Sequence, residues 1–409
     1  MKKRVLLLSL VAMMGATTFT VTSCSNDDFG TEASQSGVLT LSFTGENISS
    51  YENLDIELVE VNTGAVIKQT SQKASSVSIG VPYGSYKITV NGQVITTAFE
   101  TTSAAGTGAV DITTLATNAT IPLFFKTFHE DFIIEEVFFT GIKTADNKNY
   151  NSSRYFKIVN NTDKVLYADK LIIGQSEFLT TDDKNPTPYD INQYFPVKGV
   201  LVLPGSGTQY PVQPGDFIVV ADNAINHQAQ TSTAYDLSKA DFEFPSTAPS
   251  LGQVDNPDVP NAELVFTTAA NMFIMHNRGF ESYVIARFPA GETTDTFKAN
   301  RKYDYTYINS AGNVTARSVY SIPTSWIIDG QNNSIPTKFV HTLTASGIDT
   351  GWTSAGSIDS DPNRFGKSVR RKIVGKMIGN KNLYMDTNNS TNDFVKDSEP
   401  SLKNGISHE

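Results

Sequence analysis

From residue 37 onward, apolar and polar positions alternate with a period of two, the pattern of half-buried β-strands. Leu39, Leu41 and Phe43 begin it with Val38 beside them; Ile56 and Leu58 repeat it, followed by Val59 and Val61. Asn62-Thr63-Gly64 reads as a turn and Ala65-Val66-Ile67 as the returning arm of a hairpin. In the stretch from Val77 to Gly92, Pro82 fixes the backbone at a turn. Gly84 is expected to take a conformation that a side chain disfavours, and Tyr86, Ile88 and Val90 alternate toward a core. Further strands are predicted over 131–141, 155–162, 165–174 and 210–222, the last entered through a Pro214-Gly215 turn. The best candidate for a helix is Thr231 to Asp241, with Ser232 or Thr233 as its cap. The pattern predicts an all-β chain.

The first 23 residues follow another rule. Lys2, Lys3 and Arg4 precede a mostly apolar run from Val5 to Met14. That run is too short to cross a hydrocarbon layer of roughly 30 Å and suits the apolar core of a secretory signal. The chain's single cysteine closes the sequence Val21-Thr22-Ser23-Cys24. This resembles the bacterial lipoprotein signal, with Val21 where that signal more often has leucine. The resemblance implies a diacylglyceryl group on Cys24, which becomes the mature N-terminus and holds the chain to a membrane. Ser25-Asn26-Asp27-Asp28 is similar to the signal that sends lipoproteins of Bacteroidetes to the outer face of the outer membrane. Phe29 to Gly37 reads as a flexible tether. A thioether-linked cysteine forms no disulfide, so the fold must be held by packed cores.

Composition narrows the function. Residues 1–23 carry three charges, all positive, so their removal takes the net charge from −10 to −13. An acidic surface argues against nucleic acid as the main partner, because phosphate contact needs basic groups. Charged residues make up 18% of the chain, which fits an extracellular β-protein rich in Thr, Ser, Asn and Tyr.

Two resemblances set the domain reading. Pro82, Gly84, Tyr86, Ile88 and Val90 follow the signature of transthyretin-like and carboxypeptidase-regulatory-like domains, which are mostly stalks and spacers. Ile134-Glu135-Glu136-Val137, the strand ending at Asn160 and Asn161, and Pro214-Gly215 resemble the lamin-tail domain in order. Lys157 departs from that family's usual acid, and its usual tryptophan after the third strand is missing. The C-terminal stretch, Val369-Arg370-Arg371 followed by Asp386 to Phe394, is similar to the closing motif of the same domain in bacterial surface proteins. The expected organisation is a signal peptide over 1–23, a tether over 24–36, a transthyretin-like β-sandwich over 37–126 and a lamin-tail-like β-sandwich over 130–400, with a tail over 401–409. Long insertions are expected at 176–205 and 223–262, with a separate domain beginning near residue 290 as the alternative. The whole resembles an uncharacterised family of Bacteroidetes surface lipoproteins.

Candidate chemistry is sparse. The five histidines, His129, His227, His276, His341 and His408, share no metal-ligand spacing. Glu135 and Glu136 are neighbours on a strand, where strict alternation would send them to opposite faces. Asp386, Asn388, Ser390 and Asn392 place oxygens at every second position, like the start of a calcium loop. Thr391 stands where that loop needs glycine and Asp397 where it needs glutamate, so a polar turn is the simpler reading. No nucleophile elbow or phosphate loop is present, no other cofactor is implied, and no catalytic residue is assigned. Aromatic side chains read mainly as core, with sugar stacking in exposed loops as the other use.

The expected function is a non-catalytic binding module, lipid-anchored to the outer membrane and facing the cell exterior. Its partners would be the membrane through the lipid, and an outer-membrane nutrient transporter, a glycan or a surface protein. The recognition surface would be the 176–205 and 223–262 loops. A structural or adhesive surface protein is the alternative, and a hydrolase the third reading.

Overall fold

A computed structural model describes residues 35–45, 48–97, 101–125 and 131–408. Cys24 and Ser25, Asn26, Asp27 and Asp28 lie outside the described residues, as does His129.

Residues 36–125 form eight strands: β1 (Ser36–Thr44), β2 (Ile48–Glu60), β3 (Val66–Gln72), β4 (Ser76–Pro82), β5 (Gly84–Thr96), β6 (Thr101–Ile112), β7 (Ala116–Pro122) and β8 (Phe124–Phe125). They build a three-stranded sheet, β4-β1-β7, and a five-stranded sheet, β3-β2-β5-β6-β8. Leu39, Leu41 and Phe43 of one sheet meet Ile56, Leu58, Ile88 and Val90 of the other in one apolar cluster, so the alternation in the sequence is the inner face of a sandwich. Tyr86 closes the β4–β5 corner by donating its hydroxyl hydrogen bond to the Pro82 carbonyl, 3.0 Å away. Gly84 does not adopt the left-handed backbone expected of it. It is crowded by Glu60, whose Cγ and Oε1 would lie 3.1 Å from an added Cβ.

The remaining residues form a larger sandwich. Its six-stranded sheet has the order β18 (Phe242–Glu243), β17 (Phe217–Ala221), β12 (Tyr155–Val159), β9 (Ile133–Phe138), β24 (Ser368–Arg371), β27 (Phe394–Ser398). The opposing sheet has the order β21 (Lys302–Ile308), β22 (Val314–Pro323), β15 (Tyr194–Val202), β14 (Ile172–Ser176), β20 (Ser282–Ala286), β23 (Ile327–Asn332), with β19 (Glu263–Thr267) also paired to β15. Two-residue ladders join β10 (Ile142–Lys143) to β11 (Asn149–Tyr150) and β13 (Leu166–Tyr167) to β16 (Pro211–Val212). A hairpin of β25 (Ile373–Lys376) and β26 (Asn382–Tyr384) places Val374, Leu383 and Met385 against Ala105 of β6, which joins the two sandwiches.

The large sandwich is buried on both sides of its sheets. Phe156, Ile158, Leu201 and Ile285 fill the space between the sheets. Phe297 of α1 (Thr294–Asn300), Trp326 and Leu343 cover the outer face of the seven-stranded sheet. Tyr235, Leu237, Ala240, Val259 and Leu402 cover Phe138, Tyr155 and Val219 on the outer face of the other. Every residue of β9, β12, β14 and β20 is therefore buried.

Several expectations change here. The 223–262 segment is a covering layer: Ala224, Tyr235, Leu237, Phe242, Phe244 and Val259 belong to the buried clusters, while Leu251 and Val254 stay exposed. The 176–205 segment contains β15, which pairs with β14, β19 and β22 at the heart of the sheet. No helix forms over Thr231 to Asp241. Its apolar spacing follows the sheet it drapes, and Asp236 accepts the Ser238 amide 3.0 Å away in a turn. Helices lie instead at α1, where Thr293 and Thr296 cap each other reciprocally, and in the single turn α2 (Ser390–Asp393), capped by Asn389. The expected tail is docked at its start: Leu402 is buried and Ser401 donates its amide to Glu136, 3.0 Å away.

Candidate functional site

The site is built from the edge hairpin of the seven-stranded sheet. β21 reads Lys302-Tyr303-Asp304-Tyr305-Thr306-Tyr307, so period-two geometry puts three tyrosines on one face. Their rings stack in series, Tyr303 on Tyr305 at 5.5 Å and 21°, and Tyr305 on Tyr307 at 6.1 Å and 29°. The neighbouring strand supplies Arg317 directly opposite Tyr305 and Ser318 opposite Asp304.

A strap from the 182–190 segment lies over this ladder. Thr187 and Thr306 exchange backbone hydrogen bonds of 2.8 and 2.9 Å, and Pro188, without an N–H, ends the pairing after one bridge. Tyr303 donates its hydroxyl to the Pro188 carbonyl, and Tyr305 donates to Glu177 Oε1 at 2.7 Å. Phe178 packs edge-on against both Tyr305 and Tyr189. Burial first, then the Glu177 carboxylate, push the Tyr305 phenol up, so it stays a neutral donor. Tyr307 is half-buried, with the Lys184 ammonium 5.4 Å from its ring centre.

Between strap and hairpin runs an open groove of about 450 Å³. Thr187 and Pro188 line it from the strap, and Asp304, Tyr305, Thr306, Ala316, Arg317 and Ser318 line it from the hairpin. This lining offers an acceptor in Asp304, a fixed cation in Arg317 and hydroxyls from Thr187, Thr306 and Ser318. The set suits a polar, hydroxyl-bearing ligand lying along the sheet edge. One of the two segments expected to carry recognition, 176–205, thus contributes a wall through its strap residues. The hairpin was not foreseen, although the alternating Tyr303, Tyr305 and Tyr307 were its visible signal.

The residues singled out in the sequence serve other ends. Arg371, buried at 4% exposure, is paired with Asp329 at 2.8 Å, Asp386 at 2.9 Å and Asp393 at 3.5 Å. It also donates to the carbonyls of Ile134 and Met385 and lies over the Phe394 ring. The closing motif from Val369 to Phe394 is therefore a structural knot. Of the weak calcium candidates, Asp386 turns to Arg371 and Ser390 donates its hydroxyl to Asp349 Oδ2 at 2.5 Å. Asn388 takes a left-handed φ of 55°, and Asn392 donates its amide to the Asn389 carbonyl. Among the described residues no three His, Cys, Asp or Glu side chains are grouped to hold a metal.

Glu135 and Glu136 lie at a β-bulge. Lys157 pairs with Glu136 and Ile158 with Ile134, so Glu135 is the extra residue and strict alternation fails there. The two carboxylates are committed to different partners, Glu135 to the Lys157 ammonium at 2.8 Å and Glu136 to Ser401. Burial pushes the Glu136 carboxyl up, opposed by its serine donors. Another enclosed carboxylate, Glu281, bonds Lys198 and accepts from Gln175 Nε2 at 2.5 Å. The nearby His276 imidazole is pushed down to about 4 by burial and then by Lys198. His227 is fixed between the Tyr150 hydroxyl and the Asn223 carbonyl.

Residues 213–401 match the model of the family described as protein of unknown function, DUF4876. A crystal structure of a DUF4876 family protein from Bacteroides thetaiotaomicron superposes with a TM-score of 0.60 at 22% identity, covering 91% of this chain and 98% of that one. The fold is therefore shared over nearly the whole length of both. A candidate adhesin from Bacteroides ovatus overlaps 75% of this chain and 88% of its own at 8% identity, with a TM-score of 0.19. A candidate cell adhesion protein from Bacteroides eggerthii overlaps 71% and 80% at 10% identity, also at 0.19. Scores of that size carry no argument about this chain. No curated protein matches it. These matches agree with the expected uncharacterised Bacteroidetes family. Among the described residues no helix is long and apolar enough to cross a membrane.

Proposed function

We propose that this protein is a lipid-anchored binding module of the outer-membrane surface, facing the cell exterior, with its ligand in the groove between the 182–190 strap and the β21–β22 hairpin. The observation that carries this is the groove's lining: an acceptor in Asp304, a cation in Arg317 and hydroxyls from Thr187, Thr306 and Ser318, gathered at the edge of the seven-stranded sheet. The address rests on Cys24 and its flanks. A glycosidase needs a pair of carboxylates across its cleft, whereas the groove lining supplies Asp304. Binding is thus the chemistry these side chains support best. An accessory role beside an outer-membrane nutrient transporter fits a surface receptor of this kind.

The test is affinity capture of the full lipidated chain from intact outer membranes, with Arg317→Ala and Asp304→Ala as comparisons. Point changes are preferred to deleting 176–205, which would remove β15 from the core. Capture of a transporter or glycan in defined ratio, lost in both variants, supports the reading. Capture unchanged in both variants moves the site elsewhere, and no capture at all favours a structural or adhesive role.

A further inference from the structure

A second aromatic feature lies outside the groove. Phe339 is 37% exposed and Trp352 is half-buried; their rings stack 5.1 Å apart at 22°. The chain's other tryptophan, Trp326, is in the core. The surface pair is held in place rather than left loose. Trp352 donates its amide to Thr391 Oγ1 at 3.1 Å, and that hydroxyl donates back to the Trp352 carbonyl at 3.0 Å. The preceding Gly351 passes so close to the 389–391 turn that a Cβ there would stand 2.0 Å from Asn389 Oδ1. Its amide is tied to Asp349, which itself grips Ser390 and Asn332. The turn with the weak calcium pattern thus works as the bracket of an aromatic platform.

Polar groups stand beside the platform, together with the exposed Val340 and Ile358. On one side, Thr350 donates its amide to the Asn388 carbonyl at 2.8 Å, and Thr391 and Asn392 are exposed. On the other, Lys338, next to Phe339 in the chain, meets Asp359 at 2.8 Å, and Asp359 also meets Arg278 at 2.8 Å. We infer that the Phe339–Trp352 stack is a saccharide-binding platform, with the 388–392 turn and the Lys338–Asp359–Arg278 trio as its hydrogen-bonding rim. Two features point to a sugar. A pinned aromatic face packs against the C–H face of a pyranose with little ordering cost. Hydroxyls at the ring edge need neutral hydroxyl partners together with charged ones, and Thr391 beside Trp352 and Lys338 beside Phe339 offer one of each.

This platform shares no residue with the groove, so the two readings fail separately. The experiment is calorimetric titration of the full lipidated chain in detergent with cellohexaose, xylohexaose, maltohexaose, laminarihexaose, mannohexaose and chitohexaose, with tryptophan emission followed in parallel. At least one oligosaccharide is expected to bind in the millimolar range or tighter and to change the emission of Trp352, since Trp326 is enclosed. Trp352→Ala and Phe339→Ala should each weaken it by at least about tenfold, and Arg317→Ala should leave it unchanged. Circular dichroism melting of each variant separates lost binding from lost folding, and Thr391→Ala, which loosens the bracket without removing a ring, should weaken binding less. Binding that survives both ring deletions, or absence of binding by all six sugars, overturns the platform. Binding lost only in Arg317→Ala overturns it too, while supporting the groove.

Discussion

The small sandwich of residues 36–125 and the large one of residues 131–408 are both two-sheet β-structures, yet they use polarity in opposite ways. In the small one, among the described residues, Glu60 is the polar or charged side chain that is buried, and it caps the Asn62–Thr63 turn. Its core is otherwise aliphatic and aromatic, and each strand shows one face to water. In the large one, Glu135, Glu136, Lys157, Arg154, Asp222, Glu281, Asp329, Asp349, Arg371 and Asp393 are all enclosed. Covering layers on both outer faces force long irregular segments inward, and their backbone groups then need internal partners. Asp169 shows the device: one carboxylate accepts the amides of Gly207, Gln209 and Tyr210, each at 2.8 Å, and so satisfies a whole loop. The difference teaches that the small sandwich is held by apolar burial alone, and the large one by apolar burial plus charge knots that hold its loops in place.

The largest effect should come from the Arg371 knot. Arg371→Leu leaves three carboxylates enclosed without their cation, at a cost of about 3–5 kcal/mol. Hydrogen exchange should show β9 and β24 losing protection while β1 and β5 keep theirs. Equal loss in both sandwiches would break the comparison and show one cooperative unit. Next comes Leu58→Ala, which opens a cavity in the small core and should cost about 2–5 kcal/mol. Here protection should fall in β1–β7 and hold in β12 and β20; the reverse would mean that the hairpin contact at Ala105 couples the two regions.

Acid titration sharpens the comparison further, because the enclosed groups with large resolved shifts lie in the large sandwich. Burial pushes the Asp349 carboxyl up to about 6, against the donors from Ser390, Asn332 and Gly351. The folded state then holds a proton that the unfolded chain releases near 3.8, so this group adds stability as pH falls from 6 to 4, on the order of 2 kcal/mol. His276 acts the other way. Its imidazole is pushed down to about 4, so between 6.5 and 4 the unfolded chain takes up the proton first and stability falls. Urea midpoints measured across that window should show a steeper acid loss in Asp349→Asn and a shallower one in His276→Gln. Identical slopes in wild type and both variants would remove these groups from the account. The smallest effect is expected from Arg317→Ala, on an exposed edge, which should change stability by no more than about 0.5 kcal/mol while weakening capture through the groove.

Much of the small sandwich was legible in advance, because a strand wet on one face writes its geometry as alternation: Leu39, Leu41 and Phe43 point inward and the residues between them do not. Gly84 was located correctly as a constrained position but for the wrong cause, since the Glu60 side chain that crowds it lies on a neighbouring strand. In the large sandwich the signal weakens. β9 is buried on both faces, so Phe132 to Phe139 reads as a run without a period, and the bulge at Glu135 breaks the alternation that was used to separate the two glutamates. The 223–262 segment looked like a loop because its apolar residues follow the curvature of a sheet rather than any helical or strand period. The groove was half legible: the strap segment was singled out, but its hairpin wall is 115 residues away in sequence at the Tyr303–Pro188 contact.

By itself the sequence determined the all-β class, the inner face of the first sandwich and, through Cys24 and its flanks, the expected membrane address. Those are local properties, set by the period of side chains along a strand and by a short processing signal. Only the tertiary structure decided that Arg371 gathers Asp329, Asp386 and Asp393, that the 389–391 turn brackets Trp352, and that Thr187 closes a groove over Thr306. Each joins segments far apart in the chain, and the pairing of two distant polar groups depends on which sheet faces the packing encloses. No local pattern of residues records that choice.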